Sequence, residues 1–318
     1  MSIFKLDPAF KDYIWGGTRL RDEYGKKCDY DKVAESWELS CHKDGPSVVA
    51  DGEYNGLTLN EYIEKAGKGV LGKNCERFEN FPILIKLIDA KDNLSVQVHP
   101  DNDYAMRVEG EYGKTEMWYV VDCDEGATLL YGFKHEITKE EFARRIADNT
   151  LLEVTNAVPV KKGDVFFIKS GTLHAIGKGI LIAEIQQNSN TTYRIYDYGR
   201  VGKDGKPREL HVDKALDVTK LAPAEQYPET PVEKKDGYDI KLLSKCEYFT
   251  TYRVNVETKA ELEADENSFN SILVLEGEPV ISGGETVSAK KGESVFISAG
   301  TGKYTVEGKC TFVLTKID

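Results

Sequence analysis

Positive charge is in short supply in this chain. It has 42 Lys and Arg against 54 Asp and Glu, a formal net charge of −12 over 318 residues. That balance argues against nucleic acid and against anionic membrane surfaces as partners. It does not exclude a small anion, provided the cleft that binds it holds its own Lys or Arg. Long apolar runs are also missing. Nothing approaches the roughly 20 residues needed to cross a bilayer, and Met1-Ser2-Ile3-Phe4-Lys5 opens without the apolar segment of a secretory leader. The expectation is a cytoplasmic protein. Cysteine is scattered: Cys28, Cys41, Cys75, Cys123, Cys246 and Cys310 include no CxxC pair. This speaks for reduced, partly buried thiols rather than a disulfide framework. Histidine is rare, with five in all and none beyond His211.

What the chain does have is β-type patterning, and length enough for two domains. Short runs such as Tyr13-Ile14-Trp15, Glu35 to Ser40 and Val165 to Ile168 are punctuated by glycine turns. Helices are predicted only near 58–72 and 138–150, where Thr58/Glu61 and Thr138/Glu141 have capping-box spacing. Residues 113–121 and 129–132, joined by an acidic turn, suggest a hairpin-like pair. Residues 221–236, with Pro223, Pro228 and Pro231, form the best linker candidate. The stretch 161–172 (KKGDVFFIKSGT) recurs at 290–301 (KKGESVFISAGT). A spacing this long points to two copies of one β-domain rather than a solenoid. The division expected is 1–222 and 223–318.

Five polar side chains fall on or beside these strands. In Leu94-Ser95-Val96-Gln97-Val98-His99-Pro100, Gln97 and His99 lie at i and i+2 and share a strand face. Lys114 and Glu116 share another, and His174 follows the turn Ser170-Gly171-Thr172. Imidazole and carboxylate are common metal ligands, and glutamine serves through its carbonyl oxygen. A domain resembling a closed β-barrel or jelly roll suits such a set; a hydrogen-bonded core histidine is the competing explanation. At the repeat offset His174 meets Lys303, and no acidic counterpart of Glu116 stands near Asn270, so one working site is expected, in the first copy. Lys86, inside the apolar run Phe81 to Ile88, calls for a partner or a task. Burial near a cation would lower its pKa.

The motifs Trp15-Gly16-Gly17-Thr18, Glu35-Ser36-Trp37, Leu94 to Pro100, Gly113 to Glu116, Ser170 to Gly177 and Tyr193 to Tyr198 resemble those of the short bacterial type I mannose-6-phosphate isomerases. These are zinc enzymes of the cupin superfamily. The resemblance covers most of residues 1–215. It implies an all-β chain of two cupin jelly-roll domains with a short helical insertion in the first. It also implies one Zn2+ held by Gln97, His99, Glu116 and His174, and a phosphorylated hexose as substrate. Arg194 would be the active-site arginine, with Ser95, Lys114 and Lys86 in the substrate pocket. Such an enzyme interconverts an aldose and a ketose through an enediolate. The general base stays open between Lys86, Glu184 and a metal-bound water. One departure is visible: where the family usually has Asp shortly before the Tyr-Arg pair, this chain has Asn190. A cupin oxygenase using His and carboxylate around iron, and a sugar-binding cupin without catalysis, are the alternatives. Oligomeric state is not legible.

Overall fold

A computed structural model of the chain describes residues 2–202 and 205–318. Two β-sheets make the first sandwich. One has six strands, in the order Val165–Ile168, Glu116–Cys123, Ile180–Gln187, Ile83–Ala90, Glu35–Leu39 and Ala9–Lys11. The other has five, in the order Tyr193–Tyr196, Val96–Val98, His174–Ala175, Thr128–Phe133 and Thr155–Pro159. Ile88, Trp118, Val120, Leu129, Ile176 and Ile182 belong to one core cluster shared by these sheets.

The second sandwich has a large sheet containing Tyr238–Lys245, Thr250–Val256, Cys310–Lys316, Asn270–Gly277 and Ser294–Ile297, and a smaller one made by strands between Lys259 and Glu307. Its own core includes Val254, Ile272, Val295, Tyr304 and Phe312. The large sheet also takes in Ile3–Asp7, which pairs antiparallel with Ser294–Ile297. A third cluster joins the sandwiches: Ile83, Ile85, Leu87, Met117, Tyr119 and Leu181 pack with Phe4, Phe269, Leu273, Phe296 and Val313. The central strands of the six-stranded sheet are therefore covered on both faces. That explains why Ile83–Ala90 and Ile180–Gln187 read as apolar throughout instead of alternating. The architecture is the expected all-β pair of jelly rolls with few helices.

The helix predicted near 58–72 runs Leu59–Ala66 and keeps its full capping box. Near 138–150 the helix is Lys139–Ala147; Thr138 accepts from the Glu141 amide, while the Glu141 side chain pairs with Arg145 instead of reaching back. Among the described residues three further short α-helices, Arg19–Asp22, Asn102–Val108 and Val212–Val218, escape the sequence pattern. The expected hairpin is not one. Glu116–Cys123 and Thr128–Phe133 are consecutive but lie in different sheets, so the acidic turn is a crossing between layers.

The repeat holds at the level of strand register. Ile168 lies opposite Glu116 in the first copy, and Ile297 opposite Asn270 in the second. Asn270 thus stands where Glu116 does, and its Nδ2 donates to the buried Tyr304 hydroxyl at 2.9 Å. A neutral hydrogen-bonded pair among apolar side chains replaces the ionisable cluster.

Candidate active site and metal centre

Cross-strand pairing assembles the site. In the five-stranded sheet Gln97 lies opposite His174 on one side and Arg194 on the other, so the three share a face. In the six-stranded sheet Lys86 lies opposite Glu184, and Glu184 opposite Trp118. Glu116 begins the strand that carries Trp118 two residues on, on the same face. His174 depends on a turn whose Gly171 has φ +84°, a conformation that disfavours any side chain. The Gly171 amide donates to the His99 carbonyl at 2.8 Å, tying the two histidine segments together.

His99, Glu116 and His174 are buried, and their ligand atoms lie within 4.8 Å of one another. The His174 and His99 Nε2 atoms are 3.1 Å apart, and His174 Nε2 is 3.3 Å from Glu116 Oε1. Each imidazole has its other nitrogen engaged: His99 Nδ1 donates to the Thr191 carbonyl at 2.9 Å and His174 Nδ1 to the Thr172 carbonyl at 2.8 Å. Those bonds leave both Nε2 atoms as lone-pair donors facing the carboxylate. Burial first, then the nearby positive charge of Lys114, holds His99 well below the usual imidazole range. Burial likewise pushes His174 down to about 4. The Glu116 pKa is raised, by burial first and then by the charge of Glu184. No hydrogen bond reaches Glu116 Oε1. The Lys114 ammonium serves His99 Nε2 at 3.2 Å and Glu116 Oε2 at 2.7 Å, but His174 Nε2 and Glu116 Oε1 face each other at 3.3 Å, which is electrostatically unfavourable unless a further cation lies there. The donor set therefore fits a metal ion. Gln97 completes the group, with Nε2 3.3 Å from His174 Nε2; turning its amide over presents the oxygen instead.

The remaining residues form a cleft of about 250 Å3, lined by Tyr13, Glu35, Lys86, Ser95, Glu184 and Arg194 among others. A chain of alternating charge runs along its floor. Lys114 Nζ is 2.7 Å from Glu116 Oε2 and 3.7 Å from Glu184 Oε1. Lys86 Nζ is 3.4 Å from both Glu184 Oε1 and Glu35 Oε2. Indole N–H groups brace the carboxylates, Trp118 on Glu184 at 2.8 Å and Trp37 on Glu35 at 2.7 Å. The lowered pKa that Lys86 would need as the base is not what its surroundings favour. Burial acts in that direction, but Glu35, Glu184 and Glu116 outweigh it and the pKa is raised. These carboxylates hold Lys86 as a cation. Glu184 shows the converse: burial opposes its ionisation, yet Lys114 and Lys86 keep its pKa below the usual value.

The structure brings together all eight residues singled out in the sequence. Gln97, His99, Glu116 and His174 form the cluster; Lys114 bonds to its edge; and Ser95, Lys86 and Arg194 line the adjoining cleft. Asn190 also lines it, its amide donating to Asp44 at 2.9 Å. Sequence reasoning missed Tyr13, Glu35 and Arg208. Glu35 opens the strand Glu35–Leu39, Tyr13 lies just past Ala9–Lys11, and Arg208 comes from a segment without β periodicity. Arg208 makes a two-pronged contact with Asp197 at 2.8 and 2.6 Å. Its signal was the basic run around 200–208 in an acidic chain.

Comparison with known proteins agrees with this geometry. A family model described as phosphomannose isomerase type I, catalytic domain, matches residues 3–126. One described as mannose-6-phosphate isomerase, cupin domain, matches residues 239–317. A mannose-6-phosphate isomerase of Bacillus subtilis (strain 168) is 39% identical over 312 residues, covering 98% of this chain and 97% of its own length. Another from Streptococcus mutans is 39% identical over 291 residues, covering 89% of this chain and 88% of its own length. A crystal structure of a mannose 6-phosphate isomerase from Bacillus subtilis superposes with a TM-score of 0.93 at 38% identity, covering 99% of both chains. The phosphomannose isomerase of Salmonella typhimurium, at 17% identity and a TM-score of 0.79, shares the fold. From the matched models, the full-length relatives and the register of its strands, this chain belongs to the type I mannose-6-phosphate isomerase family.

Proposed function

We propose that the chain is a zinc-dependent isomerase that interconverts mannose 6-phosphate and fructose 6-phosphate through an enediolate. The observation that carries this reading is the His99–Glu116–His174 cluster opening beside a cleft with two arginines. Gln97, His99, Glu116 and His174 would hold the zinc. When bound, it supplies Lewis-acid stabilisation of the negative charge that develops on the sugar oxygens.

The rest of the chemistry falls to the chain's own side chains. Arg194 and Arg208 provide the cationic lining that an anionic substrate needs in a protein of this net charge. Arg194 Nε is buried without an acceptor, and a phosphate oxygen supplies one. Glu184 is the proton carrier between C1 and C2. It lines the cleft, its pKa is held low, and its Oε1 accepts no hydrogen bond while Trp118 fixes Oε2. Lys86 and Lys114 hold Glu184 ionised before the reaction and favour return of the proton to the sugar. The test is conversion of mannose 6-phosphate to fructose 6-phosphate before chelation, after chelation and after zinc is restored. Loss and recovery of activity are expected. Full activity in the chelated, metal-free protein refutes the zinc assignment.

A further inference from the structure

Glu111 touches neither the metal cluster nor the cleft, yet it reaches the supports of both. It sits in the loop between Asn102–Val108 and Glu116–Cys123. That loop is fixed by Gly113 N donating to Asn102 Oδ1 and Lys114 N donating to the Pro100 carbonyl. Its Oε2 accepts from the Asn190 amide and the Thr191 hydroxyl, each at 3.2 Å, and from the Ser189 hydroxyl at 3.5 Å. A single carboxylate oxygen thus gathers the turn 189–191. The Thr191 carbonyl is the group that orients His99.

The turn does not fix itself completely. Gln186 Nε2 donates to the Ser189 carbonyl at 2.6 Å, and Thr191 N to the Ser189 hydroxyl at 3.2 Å. These bonds close the turn around Ser189 and hold the Thr191 amide, while the Thr191 hydroxyl and the Asn190 amide are held by Glu111. On its other side Glu111 Oε1 accepts from His42 Nε2 at 3.3 Å. The His42 ring meets Trp37 edge-on at 5.7 Å, and the Trp37 indole braces Glu35. One carboxylate therefore clamps a rim of each sheet.

We propose that Glu111 is a positioning residue for the metal centre: by fixing the Thr191 carbonyl it fixes the rotation and tautomer of the His99 imidazole. This rests on the reading of His99, Glu116 and His174 as metal ligands. Groups that orient a ligating imidazole typically change metal affinity by 10–100-fold when lost. Glu111 acts one step further out, so the low end of that range applies.

The test measures Zn2+ affinity by chelator competition, together with the visible absorption bands of the Co2+-loaded protein, which report ligand geometry. Glu111→Ala is expected to weaken Zn2+ binding about tenfold and to shift the Co2+ bands. Glu111→Gln keeps an acceptor oxygen facing Asn190 and Thr191, and is expected within about twofold of the parent with unshifted bands. Thr191→Val, which removes only the hydroxyl bond, is expected between the two and serves if the alanine variant does not fold. Tight Zn2+ binding by the parent with unchanged affinity and bands in Glu111→Ala overturns the positioning role alone. A glutamine variant as impaired as the alanine one overturns it too, because charge rather than geometry would then be at work. A parent protein that binds no Zn2+ overturns both this role and the metal reading beneath it.

Discussion

Replacing Lys86 by methionine keeps most of the side-chain volume and removes the charge. In the native protein Lys86 Nζ is 3.4 Å from Glu35 Oε2 and 3.4 Å from Glu184 Oε1, and its side chain is 4% exposed. Removing one partner of a buried ion pair costs about 3–5 kcal/mol, because the other charge is left uncompensated. Here two carboxylates share the cation, while Lys114 still stands 3.7 Å from Glu184. We therefore expect about 4 kcal/mol at neutral pH, and a thermal midpoint lower by on the order of 10 °C. The loss has a direction in pH. Burial opposes ionisation of Glu184, but Lys114 and Lys86 together hold its pKa below the usual value. It therefore contributes stability above the carboxylate range, near pH 4, that is lost as the pH falls through it. Without Lys86 the Glu184 pKa moves up, so the gap between variant and parent widens with rising pH and closes in acid. Urea unfolding at several pH values between 4 and 7 measures it. A Met variant within about 1 kcal/mol of the parent at neutral pH, or a gap that does not change with pH, would refute the account of Lys86 as a cation shared by two buried carboxylates.

Four further outcomes follow from the geometry. His174→Ala should lose bound metal and isomerase activity together, read by elemental analysis beside the coupled assay. Arg194→Ala should keep the metal and lose turnover, because its guanidinium faces the cleft rather than the cluster. Glu184→Gln keeps the acceptor for Trp118 and should retain metal while kcat falls by about 10²–10⁴-fold; a normal kcat would exclude Glu184 as the proton carrier. In the metal-free protein the imidazole of His174, at about 4 when folded and near 6.5 when unfolded, adds stability above pH 6.5 that is lost on acidification. His99 acts in the same sense. Glu116, raised by burial, acts in the opposite sense. Two imidazoles against one carboxylate leave stability rising with pH between about 4.5 and 6.5, and denaturation across that window checks the sign.

Local rules made some of this site legible and hid the rest. The shared face of Gln97 and His99 follows from strand periodicity, and the turn before His174 from its glycine. Lys86 drew notice because a lysine seldom sits in an apolar run. Its charge state was not legible, because the carboxylates that raise its pKa lie on other strands, at Glu35 and Glu184. Local pattern also made a hairpin of Glu116–Cys123 and Thr128–Phe133, since nothing in a turn says which sheet receives the next strand. Glu111 gave no signal at all. Its importance lies in Ser189, Asn190 and Thr191, nearly 80 positions away in sequence.

The strand Ile3–Asp7 has a consequence for the order in which the molecule is put together. Ser2 N donates to the Ser298 hydroxyl, 296 positions along the chain, and the strand beyond it is zipped to Ser294–Ile297. On one edge it meets only the short strand Val48–Val49, so its longer ladder waits on residues far along the chain. Contacts of such separation form late and slowly. Until then Phe4 and Leu6 expose apolar surface that belongs to the seam between the sandwiches. A polar substitution at Phe4 would therefore impair the closing step of folding, far from the His99, Glu116 and His174 cluster.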